Sequence, residues 1–489
     1  MKNKILFIII FVVFAGYQAI SQNTFEQIIT NSADQKINQI IEDNNGNFVM
    51  VGQMNNSVSF PGGYVIKIDG AGNLLNEIVI HPIDTLAYIF FNIHFYNSNY
   101  YLLGICTDST NFEQKKIWYV KLNENLEVIS QRESMLPIGH WFSYFNSIID
   151  SDTNFVIAGY TSTNNGVQIY HNDPAFYKMS LEGDSINSCF LSTPIKIRQA
   201  YDLLEDTSNS QYFTFVSGFE NTSPGQKLIL TKEFDSLGIE PVPFGITERY
   251  SPTYLTDTSI LMCGLGTLGS EPYRLNVIAV NLENQPIAYN HFEIGENMKD
   301  YPAMYNGVSK NGNNIYVGGT SNFDYYNSSW STFDSWFHLV KINPDIIPIW
   351  EYWYGGDAYY FLYSILATND GGCIMVGSRY DYETQNQERD IYIVKVDNNG
   401  LVTWTQEIPI YKPETTVYPN PGMDQLNIKT SINYTDLEII DLNGKVVIKQ
   451  NLDKDQSVIN TESLKSGMFF YRLIDKKNKT IETGKWIKK

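Results

Sequence analysis

Seven times along the chain a short apolar run closes on a glycine. The copies are Phe48-Val49-Met50-Val51-Gly52, Tyr101-Leu102-Leu103-Gly104, Phe155-Val156-Ile157-Ala158-Gly159, Phe213-Thr214-Phe215-Val216-Ser217-Gly218, Ile260-Leu261-Met262-Cys263-Gly264, Ile315-Tyr316-Val317-Gly318 and Cys373-Ile374-Met375-Val376-Gly377. Their glycines stand 52, 55, 59, 46, 54 and 59 residues apart. A unit of that length buries its apolar face only against neighbouring copies, so the fold has to be an array of stacked units.

Each run is followed by a second strand candidate with a recurring Lys, as in Tyr64-Val65-Ile66-Lys67-Ile68-Asp69, Trp118 to Asn123, Phe337 to Asn343 and Ile391 to Asp397. Looser copies are Phe176 to Ser180, Leu228 to Phe234 and Asn276 to Asn281. A turn and a further strand come next, as in Gly72-Asn73-Leu74-Leu75, and another strand precedes each run, as in Ile37 to Ile41. Four short antiparallel strands per unit, apolar on both faces where units stack, predict an all-β, seven-bladed β-propeller-like domain over residues 22–411. The region resembles the diverged propeller repeats of bacterial exported proteins, without the GH…WD signature of WD40 repeats. A pair of sandwiches or a solenoid is the alternative, although this period is long for one solenoid coil. Thr24 to Ile29 and Val402 to Ile410 both read as a closing outer strand, so either the ends overlap or one of them lies outside the ring.

The N-terminus reads as a signal peptide over residues 1–21. Lys2 and Lys4 precede the uncharged run Ile5 to Ala15, and Ala19-Ile20-Ser21 offers cleavage between Ser21 and Gln22. The run is too short to span a bilayer, and no later segment is long and apolar enough to do so. The formal charge is −19, and the two ends are basic. With Lys2 and Lys4 at one end, and twelve Lys and Arg against nine Asp and Glu from Tyr418 onward, the part between carries −24. Such a surface repels nucleic-acid backbones and anionic lipid headgroups. Cys106, Cys189, Cys263 and Cys373 form no CxxC pair and read chiefly as single apolar thiols.

After a linker over residues 412–417, the chain ends in a distinct segment, 418–489. Its landmarks are Tyr418-Pro419-Asn420-Pro421, Asp441-Leu442-Asn443-Gly444-Lys445, Leu464-Lys465-Ser466-Gly467-Met468-Phe469-Phe470-Tyr471 and the basic terminus Lys485-Trp486-Ile487-Lys488-Lys489. Asn443-Gly444 is a two-residue hairpin signal, and the two prolines stiffen the entry. In this order the landmarks resemble the type A C-terminal sorting domain of the type IX secretion system, with Met468 where Tyr or Val is usual. The resemblance implies a small β-sandwich with sorting residues Pro419, Asn420, Pro421, Gly444, Lys445, Gly467 and Tyr471. It also implies passage through the periplasm, engagement of the type IX machinery, and delivery to the outer cell surface or the medium.

Motifs for chemistry are sparse. Asp43-Asn44-Asn45-Gly46 and Asp397-Asn398-Asn399-Gly400 start like calcium loops but lack the ligating Glu at its spacing, so they read as hairpin turns. Histidines 81, 94, 140, 171, 291 and 338 form no HExxH or tight pair, and there is no GxSxG elbow. No catalytic residue, metal or cofactor is assigned. The one local hint lies in the sixth unit, where Gly319 to Trp336 is a long connection carrying Tyr325, Tyr326, Trp330, Phe333 and Trp336 among small polar residues. Exposed aromatics in such a setting suit sugar stacking or a protein hot spot, and Tyr325, Tyr326, Trp330 and Trp336 are the candidate ligand-binding residues. The alternative is a loop folded on its own aromatics. The leading expectation is an exported module that binds a glycan or protein without catalysis. Its rivals are an extracellular polysaccharide hydrolase or lyase and a structural surface or adhesion component.

Overall fold

The computed structural model describes residues 23–489 apart from 31–32, 56–60, 83–85, 108–114, 136–140, 164–170, 192–199, 217–224, 244–245, 267–272, 293–297, 328–329, 385–387, 403–407, 410–415, 431–435, 442–444, 453–454 and 475–479. The signal-peptide and cleavage residues therefore lie outside the described residues, as does Gly444. All regular elements described are β-strands, and no helix is long and apolar enough to cross a membrane. The chain divides into two compact units, Met1–Ile408 and Pro409–Lys489.

Among its described residues the first unit holds seven antiparallel sheets, spanning 34–80, 86–135, 141–190, 200–241, 246–292, 300–355 and 359–396. In the first six sheets the strands lie in sequence order, and the seventh takes in a strand from the N-terminus. In the sixth, Asp300–Pro302 and Val308–Asn311 share the place of one strand, both pairing with Asn314–Ser321. The two candidate closing strands both join the seventh sheet. Phe25–Thr30 pairs with Asp390–Val396, and Ile408–Pro409 follows it at the edge, so the ends overlap.

The apolar runs form the second strand of each sheet, buried on both faces, with Ser217 and Gly218 of the fourth run outside the described residues; Phe48 to Val51 are all at most 1 % exposed. Apolar clusters join successive sheets, for example Val51 with Leu102, Leu103 with Ile157, Cys263 with Val317 and Leu339 with Met375. The seventh meets the first through the Gln35 N–H on the Arg389 carbonyl (2.9 Å) and through a forked Arg389–Asp34 pair at 2.8 and 2.6 Å. The closing glycine has a local cause. The first strand of the sheet bulges beside it, between Ile37 and Gln39 or Leu362 and Ser364, and turns a carbonyl toward the partner strand. A Cβ on Gly52 would sit 1.8 Å from the Lys36 carbonyl oxygen, and one on Gly377 2.1 Å from that of Phe361.

The recurring Lys is a buried tie. Lys67 lies 3.1 Å from Asp43, whose Oδ2 also accepts the Tyr100 hydroxyl of the next sheet at 2.7 Å. Lys178, Asp150 and Tyr212 repeat the arrangement at 3.0 and 2.6 Å, and Lys395 meets Asp370 at 2.5 Å and the Asn23 carbonyl at 2.8 Å. The same aspartates cap their turns, Asp43 Oδ1 accepting the N–H groups of Asn45 and Asn47. Ser180 and Thr231 do the same with hydroxyls, so the turns require an acceptor and not a charge. Burial alone would raise the Asp43 carboxyl; hydrogen bonds from Tyr100, Asn47 and Lys67 outweigh it and hold the group at about 2.

In the second unit, one sheet holds Thr416–Tyr418, Gln425–Thr430 and Asp455–Asn460. The other holds Val446–Asn451, Asp436–Ile440, Gly467–Ile474 and Thr480–Lys488. They share a core that includes Leu426, Ile439, Leu473 and Trp486.

Candidate functional site

The connection between Asn314–Ser321 and Trp336–Ile342 is built from polar anchors outward. Asp324 accepts the N–H groups of Tyr326 and Asn327 and the Ser331 hydroxyl, at 2.9, 3.1 and 2.9 Å. Those bonds overcome the upward pull of burial and set its carboxyl below the usual range. Buried Ser335 donates to the Tyr360 carbonyl at 2.7 Å and accepts the Tyr360 N–H at 2.6 Å. Phe323 plugs the base, stacked on Tyr301 at 4.3 Å, with its N–H on the Lys299 carbonyl.

With its backbone held, the loop turns aromatics outward. Tyr326 is 86 % exposed, and Tyr325, Trp330 and Phe333 are 38–39 % exposed. The loop does not simply fold on its own rings. Tyr325 stacks on Tyr273 of the fifth sheet (5.0 Å, 11°), while Trp330 meets Tyr380 of the seventh edge-on at 5.0 Å and covers Arg389 at 4.7 Å. Phe333 meets Tyr359 edge-on at 5.8 Å, and Lys299 lies 5.4 and 5.8 Å from the rings of Tyr273 and Tyr326. Of the four candidates, Tyr325, Tyr326 and Trp330 share this loop surface. Trp336 stands apart as the first residue of its strand, its indole over Gly356, where any side chain would collide with it. Tyr273, Lys299, Tyr380 and Arg389 were not singled out from sequence, because they carry no motif and all but Lys299 come from other repeats.

Two carboxyls, buried Asp202 and half-buried Asp390, are displaced furthest upward. Burial pushes Asp202 to about 7 against hydrogen bonds from Asn146 and the Leu203 N–H. It ends a chain in which Asn92 donates to Asn146 and Asn146 to Asp202, each at 2.8 Å, all three following bulges in first strands. Asp390 is also pushed to about 7, first by burial, with Arg379 opposing and Glu388 and Asp381 adding to the rise. The partners of Asp202 are an amide and a backbone N–H, whereas Glu388 and Asp381 lie close enough to Asp390 to raise it. Among the described residues no three His, Cys, Asp or Glu side chains gather as metal ligands. The four cysteines form no disulfide with one another, and the Cys106 thiol donates to the Lys116 carbonyl.

The candidate sorting residues fall into two groups. Asn420 donates to the Lys485 carbonyl at 2.7 Å and accepts the Ile487 N–H at 3.0 Å, while the Pro419 carbonyl accepts the Trp486 indole N–H at 2.9 Å. The opening motif is thus bonded to the basic terminal strand. Pro421 is exposed beside Gly422, whose N–H meets the Ile487 carbonyl. Gly467 begins the strand that carries Tyr471, which pairs with Ile439 and Gly484. Lys445 is exposed, and its N–H bonds the Asp441 carboxylate across 442–444.

Residues 416–489 match the family model described as the secretion system C-terminal sorting domain, as the landmarks implied. The tail indicates export to the cell surface or extracellular space. No curated protein matches the chain. Among solved structures it is similar to PorZ, titled an essential surface component of the type IX secretion system of Porphyromonas gingivalis, at 8 % identity and TM-score 0.24, over 93 % of this chain and 81 % of that one. It is also similar to a protein of unknown function from Dyadobacter fermentans, at 6 % identity and TM-score 0.46, over 76 % and 97 %. A third is a subtype N10 neuraminidase-like protein of A/little yellow-shouldered bat/Guatemala/060/2010, at 11 % identity and TM-score 0.37, over 75 % and 94 %. Likenesses this distant carry no argument about what the chain binds or does.

Proposed function

We propose that this chain is a non-catalytic recognition module, a seven-bladed β-propeller exported by type IX secretion through the periplasm, which binds a glycan through the aromatic loop of its sixth unit. The domain division is a signal peptide at 1–21, a propeller at 22–411, a linker at 412–417 and a β-sandwich sorting domain at 418–489. The cyclic packing of seven sheets and the overlap of the ends support the propeller. The observation that carries the binding role is the loop itself. Tyr325, Tyr326, Trp330 and Phe333 stay exposed on a backbone fixed by Asp324, Ser331 and Ser335. Rings held in place lose little freedom on stacking against a sugar, which favours affinity.

A glycan array probed with the secreted mature protein tests this reading. At least one glycan class should bind, and Tyr326→Ala and Trp330→Ala should each weaken it by about tenfold, the scale of one stacking contact. Binding untouched by both changes would reject the loop as the site.

A further inference from the structure

A second site lies on the flank of the sixth sheet, independent of the aromatic loop. The strand Pro348–Gly355 alternates its side chains across its two faces. Trp350, Tyr352 and Tyr354 turn toward the seventh sheet: the Trp350 indole donates to the Asn398 carbonyl (3.0 Å), the Tyr354 hydroxyl to that of Gly400 (2.8 Å), and Tyr352 covers Gly400. Trp353 faces the other way, stacked on His338 at 4.9 Å with its indole N–H on Ser321. Beside this strand there is a cleft of about 470 Å³ lined by Glu26, Tyr352, Trp353, Tyr354, Asp357 and Gly400 among others. That volume lies in the usual range for a small-ligand site.

Charge and aromatic surface coincide there. Glu26 spends one oxygen on the Tyr392 hydroxyl at 2.6 Å, and Asp357 spends one on that of Tyr360 at 2.5 Å. Each carboxylate is thereby oriented by a tyrosine hydroxyl. Arg379 lies 3.6 Å from both Asp357 and Asp381, so one guanidinium is shared between two carboxylates. The Asp357 side chain remains 70 % exposed, and Tyr352 is 40 % exposed. A cation over a tyrosine face and within reach of two carboxylates gains from both, in a region whose net charge is already −24. We propose that this cleft binds an organic ammonium carried on a sugar-sized body, an amino sugar with a free amine, held by Glu26 and Asp357 against Tyr352.

Calorimetric titration of the full-length mature protein with glucosamine oligomers, under conditions that keep the amine protonated, tests the site. The N-acetylated oligomers of equal length serve as the neutral arm. The amine form should bind at least about tenfold more tightly than the acetylated form, and Glu26→Gln, Asp357→Asn and Tyr352→Ala should each cost about tenfold. Leu237→Ala, exposed on the fourth sheet and away from the cleft, should leave binding unchanged. Asp357→Asn should keep the wild-type melting temperature, because its carboxylate is mostly in solvent, so its loss of binding reports the site and not the fold. Equal affinity for both oligomers would overturn recognition of the charge. Absence of amine binding, or binding indifferent to Glu26→Gln and Asp357→Asn, would overturn the site.

Discussion

Asp43→Asn is the sharpest test of how neighbouring sheets are tied. The substitution keeps the shape and the Oδ1 acceptor of the turn but removes the charge that faces buried Lys67 and the Tyr100 hydroxyl. A carboxyl held at about 2 instead of 3.8 corresponds to about 2.5 kcal/mol of folding free energy. Because the folded value is depressed, that contribution is complete above about pH 4 and is lost as the pH falls through about 2. Near neutrality the variant also leaves Lys67 without its carboxylate, and breaking a buried pair from one side costs about 3–5 kcal/mol. Denaturant unfolding of the mature protein, followed by tryptophan fluorescence between neutral and strongly acidic pH, reads both effects. The expected result is a deficit of at least about 3 kcal/mol near pH 7 that shrinks by about 2.5 kcal/mol toward pH 2. A deficit below about 1 kcal/mol, or one constant with pH, would refute the reasoning.

Asp202 works with the opposite sign. Its raised folded value favours the neutral acid, so its penalty is absent below about pH 4, grows from there to about pH 7 and persists above it. Asp202→Asn should therefore raise the melting temperature at pH 8 and leave it little changed at pH 4; a variant less stable at pH 8 would contradict this. Deleting residues 22–30 exposes the edge of Asp390–Val396 and the sites of buried Phe25 and Ile29, a loss of about 3–6 kcal/mol visible in thermal melts and light scattering. An unchanged melt would argue against the overlapped closure. Trp486→Ala empties the core of the sorting domain and removes the bond to Pro419, costing about 3–5 kcal/mol. Fractionated cells should then retain the protein in the periplasm, and normal export would show that the packed tail is not needed for sorting.

Periodicity made the repeat, the four-strand unit and the order of strands legible, because apolar runs buried on both faces leave a strong local signal. The tail was legible for another reason: its motifs converge in space, Asn420 on Lys485 and Pro419 on Trp486, so they have to occur together. What joins the sheets was not legible. The recurring Lys is visible as a signature, yet nothing local says that Lys67 is buried against Asp43 and a tyrosine from the next repeat. The chain Asn92–Asn146–Asp202 sits in first strands whose residue types change from repeat to repeat. At the candidate site the loop aromatics were readable as a cluster. Their supports, Tyr273, Tyr380 and Arg389, arrive from other repeats, and Trp336 is near in sequence but turned onto Gly356. The seam between the ends depended on register, which two equally plausible strand sequences left open.

The most direct test of the recognition role is the fate of a bound glycan. The secreted protein is incubated with the array ligand it binds best, and the oligosaccharide length profile is followed over time beside the Trp330→Ala variant. The expected result is saturable binding, weakened in the variant, with an unchanged profile and no new reducing or unsaturated ends. Shortened or unsaturated products formed by the wild-type protein would make this chain an enzyme and contradict the proposed role.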